Sequence, residues 1–316
     1  MSLVVALEAY GADLAVERSV LEPLGVEVQP VAAVESDRAR QLHEAVGLLL
    51  VDHRVDSSFL ADAPNCRVVA TYGIGVDNLD LEAAREAGII VANVPDYCQD
   101  EVADHAIALW LAVERRIVRA DAMVRAGAWD GASLAPIRRL RGLVFGLVGF
   151  GRIARQVAMR ARSFGLSVVA YDPAVDALDA DVDFVDIAAD MKTVLTGADV
   201  VSIHVPLSVE THRLIDREAI SLMKSTAVLI NTARGGLVDE AALVEALRAD
   251  RLAGAGLDVY EDESGATPFP GRDIGNLVLT PHIAFLSTEA EIAAKQGAAE
   301  AIAQALSDVP VRNRVA

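Results

Sequence analysis

Short apolar, β-branched runs recur along the chain, separated by stretches in which apolar positions return every third or fourth residue. Leu3 to Leu7, Gly47 to Val51, Arg67 to Ala70 and Ile89 to Val91 are predicted as buried parallel strands, with a helix such as Leu81 to Ala87 between two of them. From Glu101 to about Arg125 neither proline nor glycine intervenes, and Ile107, Leu111 and Val118 keep helical spacing. One long helix is expected there, connecting two domains.

A second series of strands is predicted at Val144 to Val148, Ser167 to Tyr171, Val200 to Ile203, Ala227 to Ile230, Ala255 to Val259 and Leu277 to Leu279, enough for a complete dinucleotide-binding sheet. Helices fit the intervals at Ile153 to Phe164 and Glu240 to Arg248, the latter capped by Asp239, and a last one at about Glu289 to Leu306. The alternation is βαβ grammar, which predicts parallel sheets covered by helices on both faces.

The length of 316 residues and the apolar content of 53% suit two domains. A net charge of -18 opposes attraction to phosphate backbones and anionic membranes, so neither nucleic acid nor membrane is expected as a partner. Cys66 and Cys98 stand without a C-x-x-C or a histidine at ligand spacing, so neither a disulfide framework nor a metal site is predicted. The first residues carry no basic segment followed by a long apolar one, and the cytoplasm is the expected location.

Gly149 to Ala154, GFGRIA, fits G-x-G-x-x-A, directly after an apolar strand and opening a helix. Gly149 suits the tight turn, Gly151 admits a pyrophosphate to the backbone, and Ala154 permits close packing of helix on strand. The next strand ends at Asp172, placed to accept hydrogen bonds from ribose hydroxyls and to repel a 2′-phosphate. NAD is therefore expected rather than NADP.

Five motifs in order make the chain resemble the D-isomer-specific 2-hydroxyacid dehydrogenases: YGIGVDN at 72–78, the glycine loop, NTARGG at 231–236, LDVYEDE at 257–263 and TPHIAF at 280–285. The resemblance implies an α/β fold of two doubly wound parallel-sheet domains: a flavodoxin-like substrate domain, 1–98 and 287–316, and an inserted Rossmann NAD-binding domain, 99–286. It implies interconversion of a D-2-hydroxy acid and its 2-oxo acid with a triad of Arg234, Glu263 and His282. Arginine can hold a carboxylate bidentately, histidine can pass a proton near neutral pH, and a carboxylate partner favours its charged form.

By the same resemblance Ile74 and Gly75 offer N–H groups to the substrate carboxylate, and Tyr97 and Phe285 face its side chain, although either aromatic is equally readable as core. Arg152, Ile153, Pro206, Thr211, Thr232, Ala233 and Asp258 would join Gly149, Gly151 and Asp172 around the cofactor. A homodimer is implied, with the long helix and the segment around Trp129 as contacts. Thr71 and Tyr72 stand where several relatives place an arginine, which implies that one charged grip on the substrate is absent. Formate dehydrogenases pair the histidine with glutamine, where this chain has Glu263. The stretch Val94 to His105 also resembles C-terminal-binding proteins, leaving an NAD(H)-sensing scaffold as the alternative.

Overall fold

In the computed structural model, residues 2–8, 13–175 and 183–316 are described. The chain divides into two compact units, Met1–Cys98 with Leu286–Ala316, and Gln99–Phe285.

The first unit alternates β1 (Ser2–Ala6), α1 (Ala15–Leu21), β2 (Val26–Pro30), α2 (Glu35–Glu44), β3 (Ala45–Leu50), α3 (Ser57–Ala61), β4 (Val68–Thr71), α4 (Leu81–Glu86) and β5 (Ile90–Ala92). The strands form one parallel sheet in the order β2-β1-β3-β4-β5, the flavodoxin-like arrangement. A fifth strand thus joins the four that apolar runs predict. Only Val26 and Val28 of β2 are buried, alternating with polar Glu27 and Gln29, so this edge strand carries a weak signal.

The second unit opens with α5 (Gln99–Glu114) and α6 (Ile117–Arg125). Its core alternates β6 (Val144–Val148), α7 (Arg152–Ser163), β7 (Ser167–Tyr171), β8 (Val185–Ile187), α8 (Met191–Gly197), β9 (Val200–Ile203), α9 (Arg217–Leu222), β10 (Val228–Asn231), α10 (Glu240–Arg248), β11 (Gly254–Leu257) and β12 (Leu277–Leu279). The closing helix of the chain, α11 (Thr288–Leu306), returns to the first unit and packs on α1. The second sheet is parallel in the order β12-β11-β10-β9-β6-β7-β8, a Rossmann arrangement extended by one strand. It has seven strands where six are predicted, because three-residue β8 at the edge lacks a buried run.

The single long helix expected from Glu101 to Arg125 is two helices. Arg116 takes a left-handed φ of 57° and breaks the run between α5, which buries Val113 and Glu114, and α6, which buries nothing. An arginine makes the break, so no glycine or proline announces it.

Glu114, the last residue of α5, is buried and paired. Arg138 donates to both its oxygens, from Nε at 2.9 Å and from Nη2 at 2.8 Å, and its Nη1 lies 3.5 Å from Asp199, which Lys224 also reaches. These bonds hold the Arg138 guanidinium more firmly charged than usual despite its partial burial. Arg138→Ala would strand a buried carboxylate, and a loss of about 3 kcal/mol is expected. Denaturant titration followed by circular dichroism checks this; a loss within error would overturn the assigned role of the pair.

Candidate active site

In the second unit the candidate residues follow the carboxyl ends of the strands, where open α/β sheets bind ligands. Gly149 and Gly151 follow β6, Asp172 follows β7, Pro206 and Thr211 follow β9, Thr232 to Arg234 follow β10, Asp258 follows β11 and His282 follows β12.

Gly149 has φ 92°, and a Cβ there would lie 2.5 Å from the His204 carbonyl oxygen, so only glycine makes this turn. Beyond it, Gly151 precedes α7 and faces open space, with no side chain capping the helix. The Asp172 carboxylate receives the Phe150 N–H at 2.8 Å and the Ala174 N–H at 2.9 Å, which fixes it beside the glycine loop. Thr232 Oγ1 is buried without a hydrogen-bond partner. An open glycine corner at a helix N-terminus, an acid at the next strand end and an unsatisfied hydroxyl together fit a dinucleotide. Ile153 is half-buried on α7, Arg152 is exposed beside it, and the Thr211 hydroxyl closes its own loop on the Pro206 carbonyl at 2.7 Å.

Asn231 shapes the turn carrying Arg234. Its amide donates to the Arg234 carbonyl at 2.8 Å, and its Oδ1 accepts the Ala233 N–H at 3.0 Å. Gly235 presses against the next loop so closely that a Cβ would lie 1.9 Å from the Tyr260 carbonyl carbon. The Arg234 turn is thereby packed on the segment leading to Glu263. Arg234 Nη1 also donates to the Ala233 carbonyl at 2.8 Å.

His282 Nδ1 lies 2.6 Å from Glu263 Oε2, and Glu263 Oε1 accepts the Tyr260 N–H at 3.1 Å. Burial pulls the imidazole pKa down, but the bond to Glu263 and its charge prevail and leave it raised, with Arg234 opposing and Asp258 assisting. Burial likewise pushes Glu263 up, and His282, the Tyr260 N–H and Arg234 outweigh it and hold it low. Both shifts favour a charged pair.

His282 itself has φ 53°, in the left-handed region, and its N–H donates to the Asp258 carbonyl at 2.8 Å. The fully buried Asp258 carboxylate accepts the Thr280 hydroxyl at 2.6 Å and the Ile283 and Ala284 N–H groups at 3.0 and 2.8 Å. Burial raises its pKa, but His105, Thr280 and the two amides more than compensate and lower it. The Tyr260 hydroxyl reaches the Thr280 carbonyl at 2.8 Å. Asn231, Tyr260 and Thr280 thus organise the site without having been assigned a role from sequence, although each lies inside a motif that could have signalled it.

Ile74, Gly75 and Tyr97 belong to the first unit, in the loops after β4 and β5, and the Ile74 carbonyl is fixed by Asn93 Nδ2 at 2.8 Å. Phe285 meets the His282 ring edge-on with centroids 6.1 Å apart. Among the described residues no cluster of histidine, cysteine and carboxylate side chains could hold a metal ion, and no helix is long and apolar enough to cross a membrane.

The raised His282 pKa depends on the hydrogen bond to Glu263 and on its charge, so Glu263→Gln should lower its titration midpoint. Proton NMR of the imidazole C–H resonances in the cofactor-free protein measures it; an unchanged or higher midpoint would contradict the charged pair.

The family model described as D-isomer specific 2-hydroxyacid dehydrogenase, NAD binding domain, matches residues 107–284. The chain is 39% identical over 286 residues to a glyoxylate reductase of Thermococcus litoralis, covering 88% of this chain and 83% of that protein. It is 37% identical over 262 residues to a hydroxypyruvate reductase of Thermotoga maritima, covering 82% and 84%. Among solved structures, D-lactate dehydrogenase from Aquifex aeolicus, complexed with NAD and lactic acid, superposes with a TM-score of 0.89 at 27% identity, covering 99% and 98%. These named relatives are enzymes, and turnover fits them better than a scaffold role. The chain therefore belongs to the D-isomer-specific 2-hydroxyacid dehydrogenase family and is an NAD-dependent oxidoreductase that interconverts D-2-hydroxy acids and their 2-oxo acids.

Proposed function

We propose that this enzyme reduces a short 2-oxo acid of the glyoxylate or hydroxypyruvate class, with His282 as proton donor, Arg234 as carboxylate anchor and Glu263 as the partner of His282. The observation that carries the reading is the 2.6 Å contact between His282 Nδ1 and Glu263 Oε2. With Nδ1 engaged, the transferable proton lies on Nε2, on the opposite edge of the ring. The small substrate class follows the names of the two reductases.

Arg234 would hold the substrate carboxylate and orient the adjacent carbonyl. The nicotinamide cofactor, when bound, supplies the hydride that C2 accepts. His282 gives its proton to the carbonyl oxygen as negative charge develops there, leaving neutral imidazole and a D-2-hydroxy acid. Glu263 keeps the imidazole protonated before the step and fixes its orientation.

The second unit would be the cofactor domain: Gly149, Gly151, Arg152 and Ile153 at the pyrophosphate, Asp172 at the adenosine ribose, and Pro206, Thr211, Thr232, Ala233 and Asp258 along the remainder. The first unit, 1–98 with the closing helix, would be the substrate domain, with Ile74 and Gly75 at the carboxylate and Tyr97 at the substrate side chain, as Phe285 would be in the second. Trp129 is 90% exposed, and Ile117, Val118 and Val124 stand exposed nearby in sequence. That concentration of apolar surface supports a homodimer built through this arm. The cytoplasm is the proposed compartment, consistent with two buried free thiols, Cys66 and Cys98.

A panel of 2-oxo acids with NADH and NADPH tests the assignment. Glyoxylate or hydroxypyruvate should be reduced with a marked preference for NADH. His282→Ala should lower kcat about 10²- to 10⁴-fold with NADH binding retained, whereas Arg234→Ala should chiefly raise KM. Undiminished kcat in the His282 variant would overturn the proton-donor role. Light scattering should give a dimer at micromolar concentration; a monomer alone would remove that proposal.

A further inference from the structure

Helix α5 lies unusually close to β11. On the strand, alternate residues Gly254, Gly256 and Asp258 share one face, and on the helix Val113, Leu109 and His105 share one stripe, four residues apart. A Cβ on Gly254 would lie 2.5 Å from Val113 Cγ1, and one on Gly256 would lie 2.9 Å from Leu109 Cβ. The two glycines let the helix settle on the sheet, and the next pair in the series is Asp258 with His105. His105 Nε2 lies 2.9 Å from Thr280 Oγ1 and 3.4 Å from Asp258 Oδ1.

We propose that His105 is a positioning residue for the reaction: by donating from Nε2 to the Thr280 hydroxyl, it orients the Thr280–Asp258 bond that holds the His282 loop in place. Hydrogen accounting sets the direction. The Thr280 hydroxyl has one proton, and the acceptor 2.6 Å away is the carboxylate of Asp258. Thr280 therefore donates to Asp258 and accepts from His105, which must carry its proton on Nε2 whether neutral or charged.

With Thr280 turned onto Oδ1, the carboxylate keeps the geometry that receives the Ile283 and Ala284 N–H groups. Those two amides immediately follow His282 and restrain its left-handed backbone. His105 is only partly exposed on the first turns of α5, and it acts on His282 entirely through these partners.

The inference rests on His282 as proton donor, so one arm of its test does not use turnover. Full-length His105→Gln, which retains a donor, is compared with His105→Leu, which does not. In the cofactor-free protein the His282 NMR titration should fall by about half a unit in the leucine variant and stay near wild type in the glutamine variant. With NADH and glyoxylate, kcat should fall about 10-fold in the leucine variant at little changed KM, and recover to within about twofold with glutamine. Thr280→Val should remove most of the difference between the two His105 variants. If leucine prevents folding, His105→Asn, a shorter donor unable to span the contact, replaces it and should behave as leucine would.

An unchanged titration and kcat in the donor-free variant would overturn the proposal, as would a glutamine variant as impaired as leucine. A normal titration response with His282→Ala still active would instead remove His282 as donor while leaving the His105 linkage standing.

Discussion

A carboxylate with no access to water must have its lone pairs satisfied by the protein, and Asp258 is such a group. Its donors are a hydroxyl and two consecutive backbone N–H groups, an arrangement that dictates the path of the chain from Thr280 to Ala284. His282 lies within that path and takes a left-handed conformation that costs a non-glycine residue about 1 kcal/mol or more. Bonds to a charged acceptor contribute more than neutral ones, so the cluster can hold the strained residue. The histidine is displayed by the anchoring of its neighbours, and its imidazole remains available to Glu263.

Much of this was legible in sequence because the informative residues lie at strand ends. Asp239 caps α10 as expected, accepting the Ala242 N–H at 2.9 Å, and GFGRIA forms the turn that its glycines demand. What escaped were features whose cause is tertiary. Arg116 ends α5 with a left-handed φ of 57°, and no glycine or proline marks the break. β2 and β8 are edge strands with little buried surface, so their periodicity is faint. The roles of Asn231, Tyr260 and Thr280 depend on contacts between different loops, which motif spacing brings near without specifying their bonds.

The glycines divide into two kinds for a physical reason. Gly149 is required by its own backbone dihedral, which a local pattern can announce. Gly235 is required by the approach of the Tyr260 carbonyl, and its φ, outside the left-handed region, gives no hint of it. A Cβ there would force the Arg234 turn away from the loop bearing Glu263, so the close packing of two loops sets the placement of two candidate site residues at once.

Electrostatics poses the remaining problem, since a chain of net charge -18 must attract an anionic substrate to a site that contains Asp258 and Glu263. The two carboxylates are quenched differently. Asp258 is buried and surrounded by donors, so its charge is spent on the protein; Glu263 is compensated by the imidazolium it stabilises and by the Tyr260 N–H. Arg234 lowers the pKa of Glu263 and opposes protonation of His282, so its field already reaches both groups. An arriving carboxylate would offset that opposition. With Arg234 as the proposed carboxylate anchor, substrate binding there and protonation of His282 should therefore reinforce one another, since the anion offsets the charge that disfavours the imidazolium.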